Sequence, residues 1–169
     1  MCGITGAIRF EGEALNAERF VPMVDAIAHR GPDDAGYLAW QSGQGLGAGL
    51  SCGVLMTDGD FAHLHPDMPT IDSPSGRGEL AGGRWDVFLG HRRLSIVDLS
   101  TRGHQPMTDA TGRLWISYNG EIYNFLELRE HLEAHGHVFV SRTDTEVLLA
   151  AYRQWGLAMM EKLNGMFAF

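Results

Sequence analysis

The chain opens Met1-Cys2-Gly3-Ile4-Thr5-Gly6-Ala7-Ile8-Arg9-Phe10, a start that places a cysteine directly after the initiator methionine. Cysteine is small enough for the initiator methionine before it to be trimmed, which would make Cys2 the N-terminus. That residue would then carry a thiol and a free α-amine able to take up the thiol's proton, a nucleophile paired with its own base. Such a nucleophile must be held in place, and Gly3 to Phe10, loosely alternating with two glycines, reads as a first buried strand. Taken alone, Met-Cys-Gly reads more simply as a small buried cysteine at the start of a chain. The rest of the sequence has to supply the partners that catalysis needs.

Length and composition set the frame for those partners. At 169 residues the chain is one domain or most of one, long enough to bury about 70% of its unfolded surface without staples. Hydrophobic residues make up 44% and charged residues 20%, and the formal net charge is −8. Lys162 is the sole lysine and no basic run exists, which excludes nucleic acid and anionic membrane as expected partners. There is no apolar run of a membrane span and no signal peptide at the start. Two cysteines, Cys2 and Cys52, make no framework, and a bridge between them would consume the nucleophile. Both are read as reduced thiols in a cytoplasmic protein.

Along the chain, Asn16 caps a helix expected to reach about Ala28, with Phe20, Met23, Val24 and Ile27 as its apolar stripe. It stops at His29-Arg30-Gly31-Pro32-Asp33-Asp34, and a strand follows at Gly36 to Trp40. From Gln41 to about Arg84, Gly, Pro, Ser and Asp dominate and periodicity is lost, so an irregular insertion that leaves the core sheets alone is expected. Within it, His63, His65 and Asp67 match no strong ligand spacing; a solvated loop and no metal are expected. Further strands read at Trp85 to Asp98, Leu114 to Tyr118, His137 to Val140 and from Gly165. One helix starts near Phe125 and ends at Gly136. Another follows Thr143, whose spacing to Glu146 is that of a capping box, and a short helix covers about Leu157 to Leu163. The order of elements favours α+β layers.

Four positions could serve Cys2. Asn119-Gly120 is the strongest short hairpin signal, but the Asn119 amide and the Gly120 N–H could equally form an oxyanion hole. Arg93 could pair with a solvent-exposed acid, or its guanidinium could grip a carboxylate. Asp144 suits a helix first turn by its charge, and it could also hold an ammonium. An arginine for a carboxylate and an aspartate for an ammonium together make a clamp for an α-amino acid.

These pieces resemble the glutaminase domain of class II glutamine amidotransferases, which are N-terminal-nucleophile hydrolases, in the asparagine synthetase (glutamine-hydrolysing) branch. The blocks are Met1-Cys2-Gly3-Ile4, His29-Arg30-Gly31-Pro32-Asp33, Arg93-Leu94-Ser95-Ile96-Val97-Asp98, Asn119-Gly120-Glu121-Ile122-Tyr123-Asn124, Asp144-Thr145-Glu146 and Leu163-Asn164-Gly165-Met166-Phe167-Ala168-Phe169. The resemblance implies an α+β fold, a four-layer αββα sandwich, C-terminally incomplete here, over residues 2–169 with the insertion at about 41–84. It implies attack of Cys2 on the glutamine side-chain amide, a γ-glutamyl thioester, and release of ammonia and glutamate. Asn119 and Gly120 would form the oxyanion hole. Arg93 would bind the substrate carboxylate and Asp144 its amine, and Leu94, Ser95, Ile96, Val97 and Glu121 would line the pocket. The partners implied are L-glutamine and a synthetase domain in cis or in trans; a homodimer is compatible. No cofactor is expected in this chain, since ATP and Mg would belong to the synthetase domain, whose Ser/Gly-rich pyrophosphate loop is absent. The competing readings are an inactive module that binds glutamine or scaffolds a partner, and an N-terminal-cysteine hydrolase of another amide. The ammonia acceptor stays open between aspartate and other carboxylates.

Overall fold

The structure, a computed structural model, describes residues 2–41, 52–96 and 98–169, and of residue 52 only the backbone. Strands β1 (Gly3–Ile8), β2 (Asp34–Gln41), β3 (Cys52–Thr57) and β4 (Val87–Arg93) form one antiparallel sheet in the order β1-β4-β2-β3. Side chains alternate across a strand, so each strand supplies two different layers. Ala35, Tyr37 and Ala39 of β2 enter a core with Phe20, Val24, Met56 and Phe88. Phe20 and Val24 come from helix α1 (Phe20–Asp25), one turn apart. Phe20 stacks on Phe88 at 4.3 Å and meets Tyr37 edge-on at 5.7 Å. The helix expected to run from Asn16 to Ala28 is broken up. Asn16 caps a 3-10 turn (Ala17–Arg19) that leads into α1, and Ile27 N donates to Val24 O, which tightens the exit into a non-α turn.

The opposite face of the sheet carries Asp34 and Gly36 of β2 with His91 and Arg93 of β4, their ladder partners being Arg93 for Asp34 and His91 for Gly36. This face meets a second β layer: the pair β5 (Met107–Thr108) and β6 (Trp115–Ile116), and the pair β7 (Asn119–Ile122) and β8 (Gly165–Ala168). Ser117 joins the layers, since its hydroxyl donates to Gly90 O at 3.1 Å and lies 3.3 Å from His91 Nδ1. Helices α2 (Pro74–Gly82), α3 (Phe125–Ala134) and α4 (Asp144–Trp155) follow, and the short helix expected at about Leu157 to Leu163 is a 3-10 helix at Gly156–Glu161. Leu128 and Leu132 of α3 and Val147, Leu148 and Ala151 of α4 pack with Tyr118 and Ile122 of the second β layer. The architecture is therefore α+β, an αββα sandwich. No helix among the described residues is long and apolar enough to cross a membrane.

Five readings need correction. Of the stretch at 41–84, residues 42–51 lie outside the described residues; the part from 52 on does not leave the core sheets alone, since β3 adds a fourth strand next to β2, and α2 follows it. His65 is not solvated; it is buried against Asp34, while His63 and Asp67 are exposed. Residues 137–140 form no strand. There Glu146 draws the chain into a turn, its carboxylate accepting from Val140 N at 2.9 Å and Ser141 N at 2.7 Å. The capping box is therefore half closed: Thr143 Oγ1 accepts from Glu146 N at 3.2 Å, but the glutamate caps the preceding turn instead. Finally, Asn119-Gly120 is not a hairpin turn but the start of β7.

Candidate active site

Cys2 stands one residue before β1, beside the end of β4, where the Gly3–Arg92 pair brings the two strands together. Its Sγ accepts from Leu94 N at 3.3 Å and lies 3.5 Å from Leu94 O. The side chain is half-buried. The backbone just after β4 therefore orients the thiol without consuming it in a disulfide.

A pocket of about 250 Å³ opens in front of this sulfur. Cys2, Arg93, Leu94, Ser95, Ile96, Asn119, Gly120, Glu121 and Asp144 all line it. Of the site residues read from the sequence, only Val97 lies outside the described residues. The volume is just below the ~300–1,000 Å³ of drug-sized sites and suits a small polar solute.

Arg93 is buried, and its guanidinium arrives already oriented. Nη1 donates to Ser100 O at 2.9 Å and Nη2 donates to Asp98 O. A Cβ built on Gly103 would collide with this guanidinium, so glycine is what gives it room. A guanidinium has five N–H donors, so these contacts leave donors for a ligand. Asp144 is the first residue of α4, placed by the Thr143 cap. Its Oδ2 accepts from Tyr118 Oη at 2.7 Å and from Ile122 N at 3.1 Å. Among the described residues both hydrogen bonds fall on this one oxygen. Burial, and then the Asp144 carboxylate beside it, raise the Tyr118 hydroxyl well above the usual phenol range. It stays protonated and donates.

Register explains what Gly120 does. Tyr123 N donates to Asn164 O at 2.7 Å, which makes 123 and 164 a hydrogen-bonded pair just beyond the β7–β8 ladder. Antiparallel pairs alternate, so the N–H groups of Ile122 and Gly120 point away from β8. The Ile122 N–H finds Asp144, and the Gly120 N–H points to the same side. Gly120 has a structural reason as well: a Cβ there would come within 2.6 Å of Phe167 Cα and would strike Met166 O.

Sequence reasoning missed Gln105 and Tyr118, which also line the pocket. Gln105 Oε1 accepts from Tyr118 N at 2.7 Å, and its Nε2 donates to Thr145 Oγ1 at 3.3 Å. The pair links the second β layer to α4. Neither residue stands in a motif that advertises chemistry, so no sequence signal marked them.

A family model described as a glutamine amidotransferase domain matches residues 69–169. The chain belongs to the glutamine amidotransferase domain family. Its similarity reaches beyond the matched segment. It is 53% identical over 172 residues to an asparagine synthetase [glutamine-hydrolyzing] 1 of Bacillus subtilis, covering 100% of this chain and 20% of that protein. It is 34% identical over 183 residues to a putative asparagine synthetase [glutamine-hydrolyzing] 2 of Methanocaldococcus jannaschii, covering 100% of this chain and 27% of that protein. The chain thus spans about a fifth to just over a quarter of the length of these relatives. Its fold is also that of the glutamine phosphoribosylpyrophosphate amidotransferase of B. subtilis, with a TM-score of 0.68 at 19% identity, over 98% of this chain and 34% of that one.

Proposed function

We propose that this chain is the ammonia-supplying glutaminase part of an asparagine synthetase-like amidotransferase. The observation that carries the reading is the sharing of one pocket by a thiol, a buried arginine and a buried aspartate. With Met1 removed, the Cys2 amine takes the thiol proton. Sγ attacks Cδ of the glutamine side chain, and the carbonyl oxygen becomes an oxyanion held by the Asn119 amide and the Gly120 N–H. Collapse breaks the C–N bond, and the proton passes from the amine to the departing ammonia, leaving a γ-glutamyl thioester. Water, deprotonated by the same amine, hydrolyses it to glutamate and regenerates the thiol. The free donors of Arg93 hold the α-carboxylate and Asp144 Oδ1 holds the α-ammonium, so the substrate must carry a free amino-acid end.

Each proton step is assigned to the N-terminal residue, so the cycle needs no cofactor. ATP and Mg belong to the synthetase part in this reading. The names of the relatives make aspartate the default acceptor of the ammonia. The test is glutaminase activity of Cys2→Ala with the circular dichroism spectrum as control. Activity is expected to vanish with the spectrum unchanged; retention of most activity would remove the thioester mechanism.

A further inference from the structure

We propose that Asp34, His65 and His104 form a buried site for one divalent metal ion of the zinc class, which ties the segment after β3 to the sheet beside Arg93. The three side chains come from distant parts of the chain. Asp34 begins β2, His65 follows the 3-10 turn Gly59–Phe61, and His104 follows the 3-10 turn Thr101–Gly103. Their ligand atoms nevertheless all lie within 4.8 Å of one another, and all three residues are buried. His104 Nδ1 is 2.8 Å from Asp34 Oδ2, and His65 Nε2 is 3.1 Å from Asp34 Oδ1. An ion held at ~2.0–2.2 Å by each ligand in tetrahedral geometry sets the ligand atoms about 3.4 Å apart, a few tenths of an ångström wider than these separations, and two imidazoles with one carboxylate are a donor set that zinc accepts.

Charge points the same way. Asp34 is 2% exposed, and a buried carboxylate requires a compensating cation. Arg93, directly across the ladder, aims its Nη donors at the carbonyls of Asp98 and Ser100. Among the described residues the two imidazoles are the only ion-pair partners of Asp34. A bound dication supplies the charge and takes one lone pair from each ring. Ligation through Nδ1 leaves the His104 proton on Nε2. That atom is buried with no hydrogen-bond partner among the described residues. It and the Gln105 carbonyl oxygen flank the same spot, where a Cβ on Gly36 would fall 2.7 Å from Nε2. The absence of a side chain at Gly36 keeps the space for this ring.

The test is the zinc content of the purified full chain, loaded with Zn²⁺, freed of unbound ion and measured by mass spectrometry of the element. About one ion per chain is expected, bound as a three-residue site binds it, with two imidazoles and oxygen at ~2.0–2.2 Å in zinc-edge X-ray absorption. His65→Gln and His104→Gln should each lose most of the ion. No retained zinc in a folded chain, retention by both variants, or sulfur scattering that places the ion on a cysteine would each overturn the site. Should the variants fail to fold, the absorption spectrum of the unsubstituted chain decides. Metal content is read without any activity assay, so its failure is separate from failure of the glutaminase reading.

Discussion

Arg93 and Asp144 enter the pocket with their geometry already fixed by other bonds, the guanidinium by two backbone carbonyls and the carboxylate by a tyrosine and a strand N–H. Fixed charges lose little freedom when a ligand arrives, which favours binding. Asn119 is assigned a different kind of work, in the transition state. Asn119→Ala is expected to lower kcat by about 10²–10³-fold, the worth of one oxyanion donor, with a much smaller change in KM for glutamine. Steady-state kinetics on the two proteins check this, and an effect confined to KM would assign Asn119 to substrate binding instead. At this scale the sequence was informative where the residue type itself declares chemistry, as with Cys2, Arg93 and Asp144. Gln105 and Tyr118 act by bridging layers, and a bridge depends on three-dimensional neighbours that no spacing encodes.

Strand β7 shows how one element serves both fold and site. Its odd-numbered residues pair with β8, and its even-numbered N–H groups face the pocket side. Gly120→Ala would drive a methyl group into the β8 backbone, and overpacking of this kind costs typically about 1–3 kcal/mol. Thermal melting should show the loss, with the N–H direction disturbed and turnover reduced together. An alanine variant as stable as the parent would mean that β8 does not pass so close. Helix α4 was legible from its cap and stripe: it starts at its Thr143 cap and stops before Gly156, whose φ is +58°; the same signals at Asn16 to Ala28 overstated one short helix flanked by 3-10 turns. The 41–84 stretch was not legible. Its strand β3 lies among Gly- and Ser-rich neighbours and pairs with β2 through backbone bonds, which leave little trace in side-chain pattern. His65 was misjudged for the same reason, since its partners Asp34 and His104 are far away in sequence.

On the scale of the whole molecule, the interface between the two β layers is where the polar groups concentrate, with His91 completely buried in it. Burial, reinforced by His104, pushes its imidazole down to about 3 from 6.5. The folded protein thus keeps His91 neutral where the unfolded chain takes up a proton. Acidification from about pH 6.5 towards 3 therefore favours unfolding, by up to ~1.4 kcal/mol per pH unit from this group, which contributes no slope above that window. Denaturant midpoints measured against pH should fall less steeply for His91→Asn; an identical slope would show that other groups carry the acid sensitivity. The layer order was legible only through the resemblance carried by the motif blocks; the first strand, expected to be buried, lies at the edge of its sheet with Gly3 its one buried residue.

The central claim is that Cys2, freed of Met1, is an activated nucleophile facing a glutamine pocket. Intact-mass and peptide mass spectrometry after incubation with the glutamine analogue 6-diazo-5-oxo-norleucine tests it most directly. A single adduct is expected, on chains that lack Met1, mapped to Cys2 and suppressed by excess glutamine. A folded, processed chain that takes up no adduct, or takes it up elsewhere, would contradict it.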